Sequence, residues 1–204
     1  ELEVQLNLAG MHNVLNALSV IGVAMALNIP DAALLKGLSE FKGVGRRFQH
    51  YGPFPAREGG EFLVIDDYGH HPREIEATLD SARQAYPGRR LVMVFQPHRY
   101  TRTRDLFEDF VEILSRTDVL VLTEVYAAGE KPIHGADGRS LSRAIRVRGQ
   151  IEPVFIAEVT ELSRVLPGIL EPGDVVLTLG AGSIGQIAAE LPQSLGAVLS
   201  GAIP

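Results

Sequence analysis

The sequence predicts an α/β fold: a mostly parallel open sheet with helices on both faces, preceded by the helical end-piece of a second domain. Three observations predict it. Five short, apolar, β-branched runs, at residues 62–65, 91–95, 119–122, 154–156 and 175–179, recur between helical or loop segments, the alternation that parallel strands with crossover helices produce. The segment KGVGRR at residues 42–47 carries two glycines and no apolar periodicity, and it separates that region from a helix-rich start. With 204 residues, the chain can bury one large core or two modest ones.

Taken in order, residues 1–8 alternate with Leu2, Val4, Leu6 and Leu8 on one side, strand-like from the first residue, so the chain is expected to begin inside a domain. Residues 14–27 are too long an apolar stretch for a strand and rich in Ala and Leu, which predicts a largely buried helix with Met11, Leu15 and Leu18 in the core. Pro30 and Asp31 then punctuate; Asp31 is the expected N-cap of an amphipathic helix with Leu34, Leu35, Leu38 and Phe41 on one face. After the first run of the sheet, Pro72 suits a first helical position and Glu74 the first turn. Ile75, Leu79, Ala82 and Tyr86 make the inward stripe, and Gly88 closes the helix. Thr103 is the expected cap of a helix whose Leu106, Phe107, Phe110, Val111 and Leu114 face the core. Residues 140–147, 159–170 and 184–191 complete the helices, and the small, uncharged residues 194–204 read as a loose tail. The division expected is therefore 1–45, 46–192 and a tail at 193–204.

Hydrophobic residues at 46% and charged residues at 22% are ordinary for a globular fold. No apolar run approaches the roughly 20 residues of a membrane-spanning helix, so no membrane partner is expected. The absence of Cys excludes disulfides and thiolate metal sites. With no basic-then-apolar leader, a cytoplasmic location is expected. A net charge of -6 argues against a nucleic-acid partner held by phosphate neutralisation.

In an open parallel sheet, ligands collect beyond the carboxyl ends of the strands, which singles out two loops. DDYGHHP at residues 66–72 puts Asp66, Asp67, Tyr68, His70 and His71 in one strand-to-helix turn. QPHRYTRTR at residues 96–104 places His98, Arg99, Arg102 and Arg104 at a helix start, where guanidinium forks and unpaired backbone donors suit a carboxylate or phosphate. The plain alternative is a surface salt-bridged to Asp105, Glu108 and Asp109. Adjacent histidines diverge in direction and no HExxH accompanies them, so no metal site is expected. His70 suits general acid–base work, and helix capping suits His71 at least as well. GAGSIG at residues 180–185 matches a dinucleotide fingerprint but leaves no room for a second strand with its acidic ribose ligand, so a tight strand-to-helix turn is favoured. No GxxxxGK[ST] phosphate cradle occurs.

GMHNVLN at residues 10–16, GVGRRF at 43–48, DDYGHHP and QPHRYTRTR, in that order, resemble the Mur ligase family over residues 8–191. The HHP and HRYTRT wording is more similar to members that add L-alanine than to those that add glutamate, diaminopimelate or a dipeptide. The resemblance implies three domains: a UDP-substrate domain, a central ATPase domain with the phosphate loop, and a Rossmann-like third domain. Residues 1–45 would end the second and residues 46–192 form the third. It implies an ATP-dependent ligation of L-alanine to UDP-N-acetylmuramate in peptidoglycan synthesis, through an acyl phosphate, with Mg2+ ligands mainly outside these residues. By matched position it implies ATP contacts from Asn13, Asn16, Arg47 and Asp67, and L-alanine contacts from Tyr68, His70, His98, Arg99 and Arg102. Arg47 and His70 would be catalytic, and no residue would be a resident metal ligand. Two individual alternatives stay open, Asn13 as a helix cap and Arg46 rather than Arg47 facing nucleotide. Two other functions stay open as well: a ligase that attaches a recycled murein peptide to the same UDP-sugar, and a stand-alone module for a phosphorylated ligand.

Overall fold

The computed structural model describes the backbone of the chain except residues 1, 9, 42, 57, 58 and 200–204, and no side chain at residues 12, 192 and 194–199. Residues 2–8 form no strand. Their alternation survives as burial: Val4, Leu6 and Leu8 are half-buried while the odd positions face solvent. One apolar side laid on two helices satisfies the pattern without a hydrogen-bonded neighbour, which a true strand requires.

Those helices are α1 (Met11–Ala26) and α2 (Asp31–Glu40). Ala17 and Ala24 of α1 bury against Leu34 and Leu38 of α2, with Ile21, Val4 and Leu6 packed alongside. The expected burial of α1 is corrected, because Met11, Leu15 and Leu18 are 69%, 57% and 57% exposed. An all-round apolar sequence buries only the stripe that meets a partner, and α1 meets few partners among the described residues. Asp31 is not the N-cap of α2. Pro30 holds that position, and Asp31 is the first helical residue, where its charge complements the helix dipole.

The sheet has six strands in the order β1-β2-β6-β3-β4-β5. All five expected runs are strands, β2 (Glu61–Asp67), β3 (Leu91–Phe95), β4 (Val119–Thr123), β5 (Val154–Ile156) and β6 (Val175–Leu179), and all pair in parallel. Their residues are almost wholly buried from both faces, which is why they read as continuous apolar runs. β1 (Gln49–Pro55) is antiparallel on the edge, with an irregular register between His50 and Gly52. Its QHYGPFP reads as a turn, and prolines are tolerated there because an edge strand needs ladder bonds on one side only.

One core lies between the sheet and α3 (Pro72–Ala85), α5 (Phe107–Leu114) and α6 (Gly138–Arg148). A second lies on the opposite face beneath α7 (Leu162–Val165) and α8 (Ile184–Leu199). Ile75, Leu79 and Ala82 of α3 are buried as their spacing predicts, and His71 caps that helix in a capping box with Glu74. The helix expected from Thr103 is instead two, α4 (Tyr100–Asp105) and α5, broken at Leu106. Thr103 lies inside α4 and its hydroxyl donates to the Arg99 carbonyl, so it is no cap. Residues 159–170 are three short pieces, 3-10 turns at Val159–Glu161 and Leu166–Gly168 flanking α7. α8 continues through Leu199, so residues 194–199 extend a helix instead of forming the loose tail; residues 200–204 lie outside the described residues.

α6 starts against β4 with no room to spare. A Cβ on Gly138 would lie 2.2 Å from the Thr123 carbonyl oxygen and 3.0 Å from Cα of Glu124. Backbone cannot yield there as a flexible side chain would, so Gly138→Ala is expected to destabilise the chain by about 3 kcal/mol. Urea unfolding checks this, and a midpoint unchanged from the parent contradicts it.

Candidate functional site

The carboxyl ends of β2, β6, β3 and β4 lie side by side, and the two polar loops flank one crevice there. At the end of β2, both carboxylates are buried and fully engaged. Asp66 receives Nε of Arg46 at 2.8 Å and the Thr178 hydroxyl at 2.8 Å. Asp67 receives the backbone N–H groups of Phe48 and Gly69, each at 2.8 Å. Burial pushes the Asp67 carboxyl above its ordinary range, opposed by those two bonds, by the nearby Arg47 and by Thr78.

The two adjacent arginines divide their work. Arg46 has a left-handed backbone (φ 59), its guanidinium also reaches the Gly180 carbonyl at 2.6 Å, and its own carbonyl accepts from Tyr68 N–H at 2.7 Å. It ties β2 to β6. Arg47 is exposed and lines a cleft of about 630 Å³ with Asn13, Asn16, Phe41, Asp67 and Thr78. Asn13 is the third residue of α1, whose N-cap is Gly10. Four of the expected nucleotide residues thus face one cavity.

From Tyr68 a row of rings crosses the crevice. Arg46 and Arg47 lie over the Tyr68 ring at 5.2 and 5.8 Å. Tyr68 meets His70 edge-on at 5.4 Å, His70 meets His98 at 5.8 Å, and His98 stacks on Tyr126 at 5.4 Å. Nδ1 of His70 lies 3.1 Å from the Tyr68 carbonyl and 3.5 Å from Glu74, whose carboxylate also accepts the backbone N–H of His70 and His71. His71 caps α3, accepting from Arg73 N–H, and lines the pocket of His98, Arg99 and Arg102.

Arg102 donates to the His98 carbonyl at 3.1 Å and lies 3.4 Å from its Nδ1. Arg99 sits at the N-cap of α4 with φ 72, a strained conformation for a residue with a Cβ. Its half-exposed guanidinium is 3.8 Å from Glu130. Arg104 does not join the crevice; it pairs with Asp105 in solvent. The Gly180 to Gly185 turn is explained by packing: Cβ atoms on Gly180, Gly182 and Gly185 would strike Gln96, Tyr126 and Arg46 at 2.7, 2.6 and 2.1 Å. Sequence reasoning missed Tyr126 and Glu130. They lie just beyond the end of β4, where the rule about strand ends points.

His98 has its pKa lowered from about 6.5, by burial first and then by Arg102, His70 and Arg99, against a smaller raising effect of Glu130. The folded state therefore disfavours its charged form. Its contribution to stability is whole above about 6.5 and is lost as pH falls from there through the lower folded value. A proton NMR titration of the His98 ring is expected to show a midpoint below 6.5 that moves up in Arg102→Ala. A midpoint at or above 6.5 in the parent chain contradicts this.

With that geometry in place, comparison with known proteins is decisive. The model of the family described as "Mur ligase, glutamate ligase domain" matches residues 46–182. The chain belongs to the Mur ligase family. Among Mur ligases, it is 62% identical over 195 residues to a UDP-N-acetylmuramate–L-alanine ligase of Verminephrobacter eiseniae, and 63% identical over 195 residues to one of Methylococcus capsulatus. Each alignment covers 96% of this chain and 41% of the relative, so the chain spans about two fifths of the length of these ligases. A solved UDP-N-acetylmuramate-alanine ligase of Thermotoga maritima superposes with a TM-score of 0.75 at 32% identity, covering 100% of this chain and 41% of that one. A murein peptide ligase of Psychrobacter arcticus, at 22% identity and a TM-score of 0.65, shares the Mur ligase fold.

Proposed function

We propose that this chain is part of an ATP-dependent ligase that joins L-alanine to UDP-N-acetylmuramate in the cytoplasm during peptidoglycan synthesis. Residues 1–45 are read as the end of its ATPase domain and residues 46–192 as the domain that closes over the reaction. One observation carries this reading: a cluster of imidazoles and guanidiniums, His70, His98, Arg99 and Arg102, adjoins the cleft of Asn13, Asn16 and Arg47 through the shared Tyr68. A small zwitterion and a nucleotide placed in these two spaces are neighbours. The identity to named L-alanine ligases supports the same assignment.

In this reading, the Asn13 and Asn16 amides meet adenine edges, and Arg47 balances the charge that moves with the terminal phosphate. Asp67 shapes the turn that carries both Arg47 and Tyr68 to the nucleotide. The sugar's carboxylate attacks the terminal phosphorus of ATP; the new O–P bond forms as the bond to ADP breaks, ADP leaves, and an acyl phosphate results. The amine of L-alanine then attacks the acyl carbon; the C–N bond forms, phosphate leaves, and His70 takes the amine proton. Arg99 and Arg102 hold the alanine carboxylate, so that the amine arrives in line. Among the described residues no three His, Cys, Asp or Glu are grouped so as to hold a metal ion. Likewise, no described helix is long and apolar enough to cross a membrane.

The test uses the full-length ligase containing this chain, supplied with ATP, UDP-N-acetylmuramate and either L-alanine or a muropeptide-derived tripeptide. Phosphate release that depends on L-alanine is the expected result. Release that depends on the tripeptide alone would assign the pocket to recycled peptide. Tight ATP-independent binding of a phosphorylated ligand, with no turnover, would favour a stand-alone binding module.

A further inference from the structure

Nothing in the motifs explains how Arg99 is held with a backbone that a side chain rarely adopts. Its φ of 72 and ψ of 132 place the residue at the N-cap of α4 without a side-chain cap of its own. The support comes from Glu130, 29 residues beyond Thr101. One oxygen of Glu130 accepts Thr101 N–H at 3.0 Å, and the other accepts the Thr101 hydroxyl at 2.6 Å. That second oxygen is also the one 3.8 Å from the Arg99 guanidinium. A single carboxylate therefore satisfies the first turn of α4 and draws the Arg99 side chain across it. The Thr101 bonds, and secondarily Arg99, hold the Glu130 carboxyl below its ordinary range, so it is charged at neutral pH.

The loop bearing Glu130 is itself braced. Arg99 N–H donates to the Tyr126 carbonyl at 2.9 Å, and Tyr126 N–H donates to Pro97 at 2.8 Å, so the loop runs beside the Arg99 turn like a short added strand. Ala128 and Gly129, both at positive φ, make the tight turn that presents Glu130. At the loop's roots, one oxygen of Glu124 accepts the N–H groups of Val125 and Gly138 at 2.8 and 2.7 Å. Rigid backing of this kind fixes a first contact residue to within the tolerance a reaction needs.

We propose that Glu130 is the positioning residue of the amino-acid site: it locks the strained Arg99 turn through Thr101 and serves as the guanidinium's partner until a substrate carboxylate replaces it. This rests on the reading that Arg99 receives the alanine carboxylate. In the full-length ligase, Glu130→Ala is expected to raise KM for L-alanine roughly 10-fold or more with KM for ATP unchanged. Glu130→Gln keeps an acceptor for Thr101 and is expected to recover most of that loss. Because Glu130 acts through Arg99, Glu130→Ala introduced into Arg99→Ala is expected to add nothing further to the alanine KM. Additive effects, or equal increases for alanine and ATP with a lowered Tm, would overturn the proposal and leave Glu130 a structural cap. If Arg99→Ala alone leaves the alanine KM unchanged, the assignment of Arg99 fails first and this inference goes with it.

Discussion

Arg99→Ala in the full-length ligase is expected to raise the KM for L-alanine by about 10- to 100-fold, the loss of a charge-assisted hydrogen bond, while the KM for ATP stays near its parent value. The asymmetry follows from position. Arg99 lies at the β3 loop beside His98, whereas the cleft proposed for the nucleotide is lined by Asn13, Asn16 and Arg47, with Arg47 over the Tyr68 ring. The guanidinium is half-exposed and its ion-pair partner among the described residues, Glu130, is 3.8 Å away, a distance that leaves its donor fork open to a ligand. Steady-state kinetics with each substrate varied in turn provides the check. An equal rise for alanine and ATP would retire Arg99 as a carboxylate ligand.

The neighbouring arginines are expected to separate in the opposite manner. Arg46→Ala strips the buried Asp66 of its only ion-pair partner among the described residues and leaves it the Thr178 hydroxyl alone. An uncompensated buried carboxylate costs about 3 kcal/mol, taken at the low end because Arg46 itself is partly exposed, and lowers Tm by roughly 10 °C. Arg47→Ala removes an exposed side chain and is expected to change stability by no more than about 0.5 kcal/mol. Its effect falls on the KM for ATP, raised by roughly 10-fold. Thermal melts and ATP kinetics on the pair distinguish the two; a stable Arg46→Ala with impaired ATP use would exchange their roles.

The sheet was legible because parallel strands covered on both faces are apolar throughout, as residues 91–95 and 175–179 are. β1 was not, since Pro53, Pro55 and Gly52 spell a turn and only its edge position lets them pair. The length of its apolar stretch announced α1 but could not tell which of its sides has a neighbour, so Met11, Leu15 and Leu18 were placed in a core that they do not enter. Thr103 misled because the first turn of α4 is satisfied from a distant loop, and local spacing holds no trace of Glu130. The same reason hid two residues of the site. Dense loops after β2 and β3 stand out by composition, whereas Tyr126 and Glu130 are single polar residues dispersed through residues 124–138. The resemblance favoured Arg47 and left Arg46 open as the alternative; in the fold it is Arg46 that pairs with the buried Asp66.

The most direct test of the central claim is a structure of the full-length ligase with L-alanine, UDP-N-acetylmuramate and a non-hydrolysable ATP analogue bound. The alanine carboxylate is expected within hydrogen-bond distance of the Arg99 guanidinium, between the His98 ring and Arg102, with its amine toward His70. An alanine bound elsewhere, with Arg99 still turned onto Glu130, would contradict it.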